Sequence, residues 1–159
     1  MTQPPDETAL LDDLASQFLS AMTAKSDGRF DAAEDQLRAI LKIEPRLPEP
    51  RMELARVLLD SDRLEEAEEH AREARGFLEG DGQWTDDLPK NVVLALCYAL
   101  LAEILRRHAD EDDVIFGDPE AFKAIVTESQ DLFARAAKLD PSDEYASYHA
   151  FFLGTMGKK

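Results

Sequence analysis

Residues 54–74 decide the fold: Leu54-Ala55-Arg56-Val57-Leu58 is followed by a break at Ser61-Asp62 and then by Ala67, Ala71 and Ala74. The apolar residues on either side of the break fall at helical spacing, which predicts two amphipathic helices. A two-residue break leaves them antiparallel, and small residues at Ala55 and Ala67 let their axes approach closely. The same arrangement returns upstream, where Ser20-Ala21 and Ala33 each stand 34 residues before Leu54-Ala55 and Ala67. It returns again downstream, where Tyr98, Leu101-Ala102 and Leu105 precede Phe133, Ala136 and Pro141. A fixed period of this length means repeated helix pairs that bury their faces only by stacking on one another.

Start and stop signals predict seven helices. The first is capped by Asp6 after Pro4-Pro5 and runs to about Ser26, where Asp27-Gly28 turns the chain. The second covers Phe30 to Ile43 and ends before Pro45, because the residue preceding a proline leaves the helical region. The third and fourth cover Pro48 to Asp60 and Leu64 to about Leu78. A polar stretch with the only tryptophan, Trp84, leads to a fifth helix from about Leu88 to His108. The stretch 109–117 reads as a solvated acidic loop, and Asp118-Pro119 opens a sixth helix to Leu139. A seventh runs from about Asp143 to Met156. The expected fold class is all-α, a short solenoid of three antiparallel pairs plus a C-terminal helix. Residues 1–13 form a lead-in, helical from about residue 7, and residues 14–159 the repeat domain, with units at about 14–47, 48–81 and 88–141 and the terminal helix at 143–156.

Composition narrows the function. Lys and Arg number 18 against 34 Asp and Glu, a formal net charge of -16 in 159 residues. Such a field repels nucleic acid and anionic lipid and suits a basic protein partner, so neither nucleic acid nor membrane is expected as a partner. The apolar run Val92–Leu105 is about 21 Å long as a helix, too short for a bilayer core of about 30 Å. The N-terminus lacks the basic and apolar regions of a secretory signal, and the expectation is a cytoplasmic protein. Cys97 is the single cysteine, which rules out an internal disulfide.

The chain resembles the tetratricopeptide repeat family, most clearly in Gly28-Arg-Phe-Asp-Ala-Ala33, Leu54-Ala-Arg-Val-Leu58 and Ala134-Arg-Ala-Ala-Lys-Leu-Asp-Pro141. It departs from the family spacing by about 13 extra residues between units two and three and 15 inside unit three, where Ser129 stands at an alanine position. The resemblance implies protein–protein interaction through a concave groove lined by the first helix of each pair. Its groove positions fall on Phe18, Met22 and Lys25, then Met52, Arg56 and Leu59, then Leu96, Ala99, Glu103 and Arg106. The Lys and Asn clamp that some members use for a C-terminal carboxylate is missing, since those positions hold Phe18, Met22, Glu53, Leu96 and Leu100. The groove therefore suits an amphipathic helix or an extended apolar segment of a basic or amphipathic partner. The same residues would equally suit a core covered by the last helix or an insertion.

Catalytic chemistry has little footing. His70, His108 and His149 stand apart from any Ser or Cys partner, and Cys97 sits in an apolar helix. The acidic run Asp110-Glu111-Asp112-Asp113 lacks the spacing of a calcium loop. Glu65, Glu66, Glu68 and Glu69 read as the solvated face of the fourth helix. No enzyme activity, metal or cofactor is expected. The last helix places Tyr145, Tyr148 and Phe152 on one stripe, which gives the alternative reading of a homodimer formed through that helix.

Overall fold

The computed structural model describes residues 7–80, 82 and 89–140. The Asp6 cap, Trp84 and the seventh predicted helix with Tyr145, Tyr148 and Phe152 lie outside these residues. Among the described residues the chain is all-helical: α1 (Glu7–Ser26), α2 (Phe30–Ile43), α3 (Pro48–Asp60), α4 (Leu64–Glu79), α5 (Lys90–Ala109), the single turn α6 (Asp112–Ile115) and α7 (Pro119–Leu139). Helix α1 pairs with α2, α3 with α4 and α5 with α7, while α2 packs on α3 and α4 on α5. That is the pairwise stacking of a short helical solenoid. No described helix is long and apolar enough to cross a membrane.

The repeat is visible in the backbone, not only in the side chains. Gly28 (φ +80°) and Asp62 (φ +62°), 34 residues apart, both take the left-handed conformation that ends one helix and redirects the chain into the next. At the first turn the Arg29 amide donates to the Ala24 carbonyl at 2.8 Å, and at the second the Arg63 amide donates to the Leu58 carbonyl at 2.9 Å. The two turns share this wrapped hydrogen bond at equivalent positions. Glycine takes the left-handed region freely; aspartate is one of the few other residues that tolerate it.

Ala21, Ala33, Ala55 and Ala67 are fully buried, as close pairing of the helices requires. In the third pair the buried Ser129 takes the place of the alanine, and its hydroxyl donates to the Ala102 carbonyl at 2.7 Å. A polar atom in the tightest contact is thus satisfied across the pair rather than left orphaned. Helix α5, packed between α4 and α7, has Val93, Cys97, Leu101, Ile104 and Leu105 all buried. It begins at Lys90, two residues later than the sequence suggested, because Pro89 (ψ 147°) is extended. Within the acidic loop, Asp112–Ile115 forms the one-turn α6, and the Asp118 carboxylate caps α7 by accepting the Glu120 amide at 3.0 Å.

Candidate functional site

Helices α1, α3 and α5 form one row and α2, α4 and α7 the other. The Arg107 guanidinium near the end of α5 donates to the Leu59 carbonyl near the end of α3 at 3.3 Å, so these two helices run side by side in the same direction. Lys25 in the last turn of α1 reaches Glu53 of α3 at 2.8 Å. Between these tethers α3 leaves one narrow stripe accessible: Glu49, Glu53, Arg56 and Asp60, at helical spacing. Every other residue of α3 is buried, by α2 and α4 on one side and by its neighbours in the row on the other.

The groove residues named from the sequence divide accordingly. Met22, Lys25, Arg56, Ala99, Glu103 and Arg106 are half-buried and Leu96 is 37% exposed, all on the row of first helices. Phe18 is half-buried and packs against the buried core. Met52 and Leu59, exposed by only 7% and 4%, belong to the core itself. The accessible stripe of α3 is therefore turned by about one residue from the family-based positions, toward Glu53 and Asp60. The face carries fixed charge: the Glu103 carboxylate accepts from Arg106 at 2.7 Å and from Arg107 at 3.4 Å.

The opposite row is an ion-pair ladder that reading Glu66 and Glu68 as solvated did not foresee. Arg38 of α2 pairs with Glu34 on its own helix (2.9 Å) and with Glu66 of α4 (2.6 Å). Arg72, 34 residues on, pairs with Glu68 on its own helix (2.9 Å) and with Glu128 of α7 (2.8 Å). Arg63 adds a further contact to Glu34. Hydrogen bonds from Arg38 and Arg72 hold the Glu66 and Glu128 carboxyls below the usual carboxylate range. At Glu34 burial pushes upward, but the two arginines outweigh it and the net shift is also downward. The 34-residue spacing of Arg38 and Arg72 was the available signal.

An open cleft of about 840 Å³ lies where the start of α4 faces the end of α5 and α6, with Glu65, Glu69, His108, Glu111 and Asp113 on its walls. Several of its carboxylates are engaged, Glu66 and Glu68 in the ladder and Glu111 with His108 at 2.5 Å. Among the described residues no group of three or more His, Cys, Asp or Glu side chains is placed to hold a metal ion. Cys97 is fully buried with its sulfur 3.7 Å from the Ala71 carbonyl, and burial pushes its thiol up to about 12, which leaves it protonated and unreactive.

Residues 24–84, which contain both left-handed turns and the first inter-pair ion pairs, match the tetratricopeptide repeat family model. That segment, from the end of α1 through α4, resembles tetratricopeptide repeats. A solved structure of the first TPR of Spaghetti (RPAP3) bound to the HSP90 peptide SRMEEVD is similar to it with a TM-score of 0.66, 12% identity, and coverage of 92% of this chain and 94% of that one. At that identity the likeness is one of fold. No curated protein matches the chain. The TPR-like all-α solenoid of this chain thus rests on period, backbone geometry and structural likeness together.

Proposed function

We propose that this TPR-like solenoid is an interaction module, an adaptor, scaffold or assembly factor, that holds a segment of a partner protein along α1, α3 and α5. The observation that carries the reading is the accessible stripe of α3, which leaves Arg56 reachable between parallel neighbours that add Met22, Leu96 and Ala99. A face that mixes apolar surface with fixed charges fits an amphipathic segment. The net charge of -16 favours a partner that is basic overall and speeds its approach. A TPR domain of the same fold has been solved with a bound peptide, which supports a peptide ligand here. No catalytic role is proposed, and the reading places the protein in the cytoplasm.

The test is a randomised twelve-residue peptide library displayed on phage and selected against the intact protein, with affinities of selected peptides measured by fluorescence anisotropy. Leu96→Glu should weaken those peptides at least about tenfold while the melting temperature stays close to that of the parent. Ala134→Glu, on the exposed outer face of α7, should leave affinity unchanged. Equal affinity in all three proteins, or no selectable peptide, would contradict the groove.

A further inference from the structure

Arg56 is a half-buried residue in the middle of the α3 stripe, and its guanidinium makes no hydrogen bond or ion pair among the described residues. In a chain with nearly twice as many acidic as basic residues, an arginine left unpaired on a helix rich in neighbours calls for a reason. Carboxylates are at hand, but none of them pairs with it. Glu53, three residues earlier on the same stripe, is held by Lys25 of α1 at 2.8 Å. On the α5 side, pairing of Arg107 with the Leu59 carbonyl sets Glu103 near the level of Arg56, but Glu103 accepts from Arg106 and Arg107. Asp60, one turn later, follows Arg56 in the less favourable order for a helical ion pair and does not come within 4 Å.

The other cations of this face, Lys25, Arg106 and Arg107, are thus neutralised from within, and the one in the centre is not. A guanidinium lacking a counter-charge gains most from a carboxylate, which it can meet with two parallel N–H donors. We infer that the segment bound along α1, α3 and α5 carries one acidic side chain, received by Arg56, within an otherwise apolar stripe that meets Met22, Leu96 and Ala99. The inference rests on the groove reading above. The long-range field and the local anchor then do different work: the negative surface draws a basic partner in, and Arg56 sets the register in which it binds.

The peptides selected from the twelve-residue library provide the probe. Their shared sequence should contain one Asp or Glu among apolar positions. Changing that residue to Lys should weaken binding to the parent protein at least about tenfold, the range expected for a charge-assisted hydrogen-bonded pair. Arg56→Glu should lose the acidic peptide by a similar factor and bind the Lys-bearing peptide better than the parent does, with an unchanged melting curve. Arg135→Glu, on the outer face of α7, should alter neither. A shared sequence without an acid, or peptides that Arg56→Glu binds as the parent does, overturns the inference. If Leu96→Glu still weakens those same peptides, the groove stands and only the acidic anchor falls. If neither substitution matters, the groove itself falls.

Discussion

Arg72 grips Glu128 with two parallel hydrogen bonds, 2.9 and 2.8 Å long, and so ties α4 to α7 across 56 residues of sequence. Arg38 holds Glu66 in the preceding rung, and its position one repeat earlier makes the pair a ladder up the second helices. Both members of the Arg72–Glu128 pair keep 38% of their side-chain surface exposed, so solvent screens much of the attraction. A double-mutant cycle with Arg72→Ala and Glu128→Ala should give a coupling of about 0.5–1 kcal/mol. The coupling should shrink in molar salt. A coupling near zero in low salt would mean that the rung orders nothing.

Stability should fall as the pH drops below neutrality, because of His70. Arg51 donates from Nη1 to His70 Nδ1 at 2.9 Å, which requires that nitrogen to be unprotonated. Burial first, and then the charge of Arg51, push the imidazole below its ordinary value, while Arg38 of α2 works in the same direction and Glu73 and Glu66 of α4 oppose it. The folded state therefore binds this proton less readily than the unfolded chain. The contribution is fully present above the unfolded value of about 6.5 and is lost as pH falls toward the lower folded value. Urea midpoints should drop between pH 7.5 and 5.5, and His70→Gln should flatten that slope. The same slope in both proteins would remove His70 as its cause.

The two left-handed turns give a backbone test. A Cβ at Gly28 would meet no atom within 4 Å, so Gly28→Ala should cost about 1 kcal/mol from backbone conformation alone. Asp62→Gly should be neutral or mildly stabilising, since it relieves the φ of +62°. Thermal melts of the two variants should move in opposite directions or differ by several degrees. Equal destabilisation would mean the turns are not equivalent.

The repeat register can be tested in the core. Ala67 is fully buried at the close approach of α3 and α4, and Ala67→Leu should cost about 1–3 kcal/mol by overpacking. Glu69→Gln, on the exposed face of the same helix, should stay within about 0.5 kcal/mol. Matching urea midpoints would break the register.

Self-association is decided by sedimentation equilibrium over a wide concentration range. The stripe of Tyr145, Tyr148 and Phe152 gives the homodimer as the alternative reading, which a dimer converted to a folded monomer by Phe152→Asp would support. A monomer at high micromolar concentration removes the homodimer.

The helix pairs were legible in the sequence because small residues must recur where two helices touch, as Ala33 and Ala67 do, and because prolines and turn residues fix the ends. Ser129 broke the alanine pattern only in composition; its hydroxyl satisfies the same close contact through Ala102. The accessible face of the first helices was legible in part. Family positions pointed to α1, α3 and α5, but the exposure of α3 depends on how far α2 and α4 wrap around it, which no local spacing encodes. Met52 and Leu59 are consequently buried and Glu53 and Asp60 accessible. The ladder was missed because a glutamate on an outward helix face looks the same in sequence whether or not an arginine from the next pair reaches it.

The most direct test of the account is a map of amide chemical-shift changes when a selected peptide saturates the isotope-labelled protein. Changes concentrated on α1, α3 and α5, at Met22, Arg56, Ala99 and Arg106, are the result expected for a partner segment held along the row of first helices. Changes confined to the acidic cleft between α4 and α6, or to the outer face of α7, would contradict it.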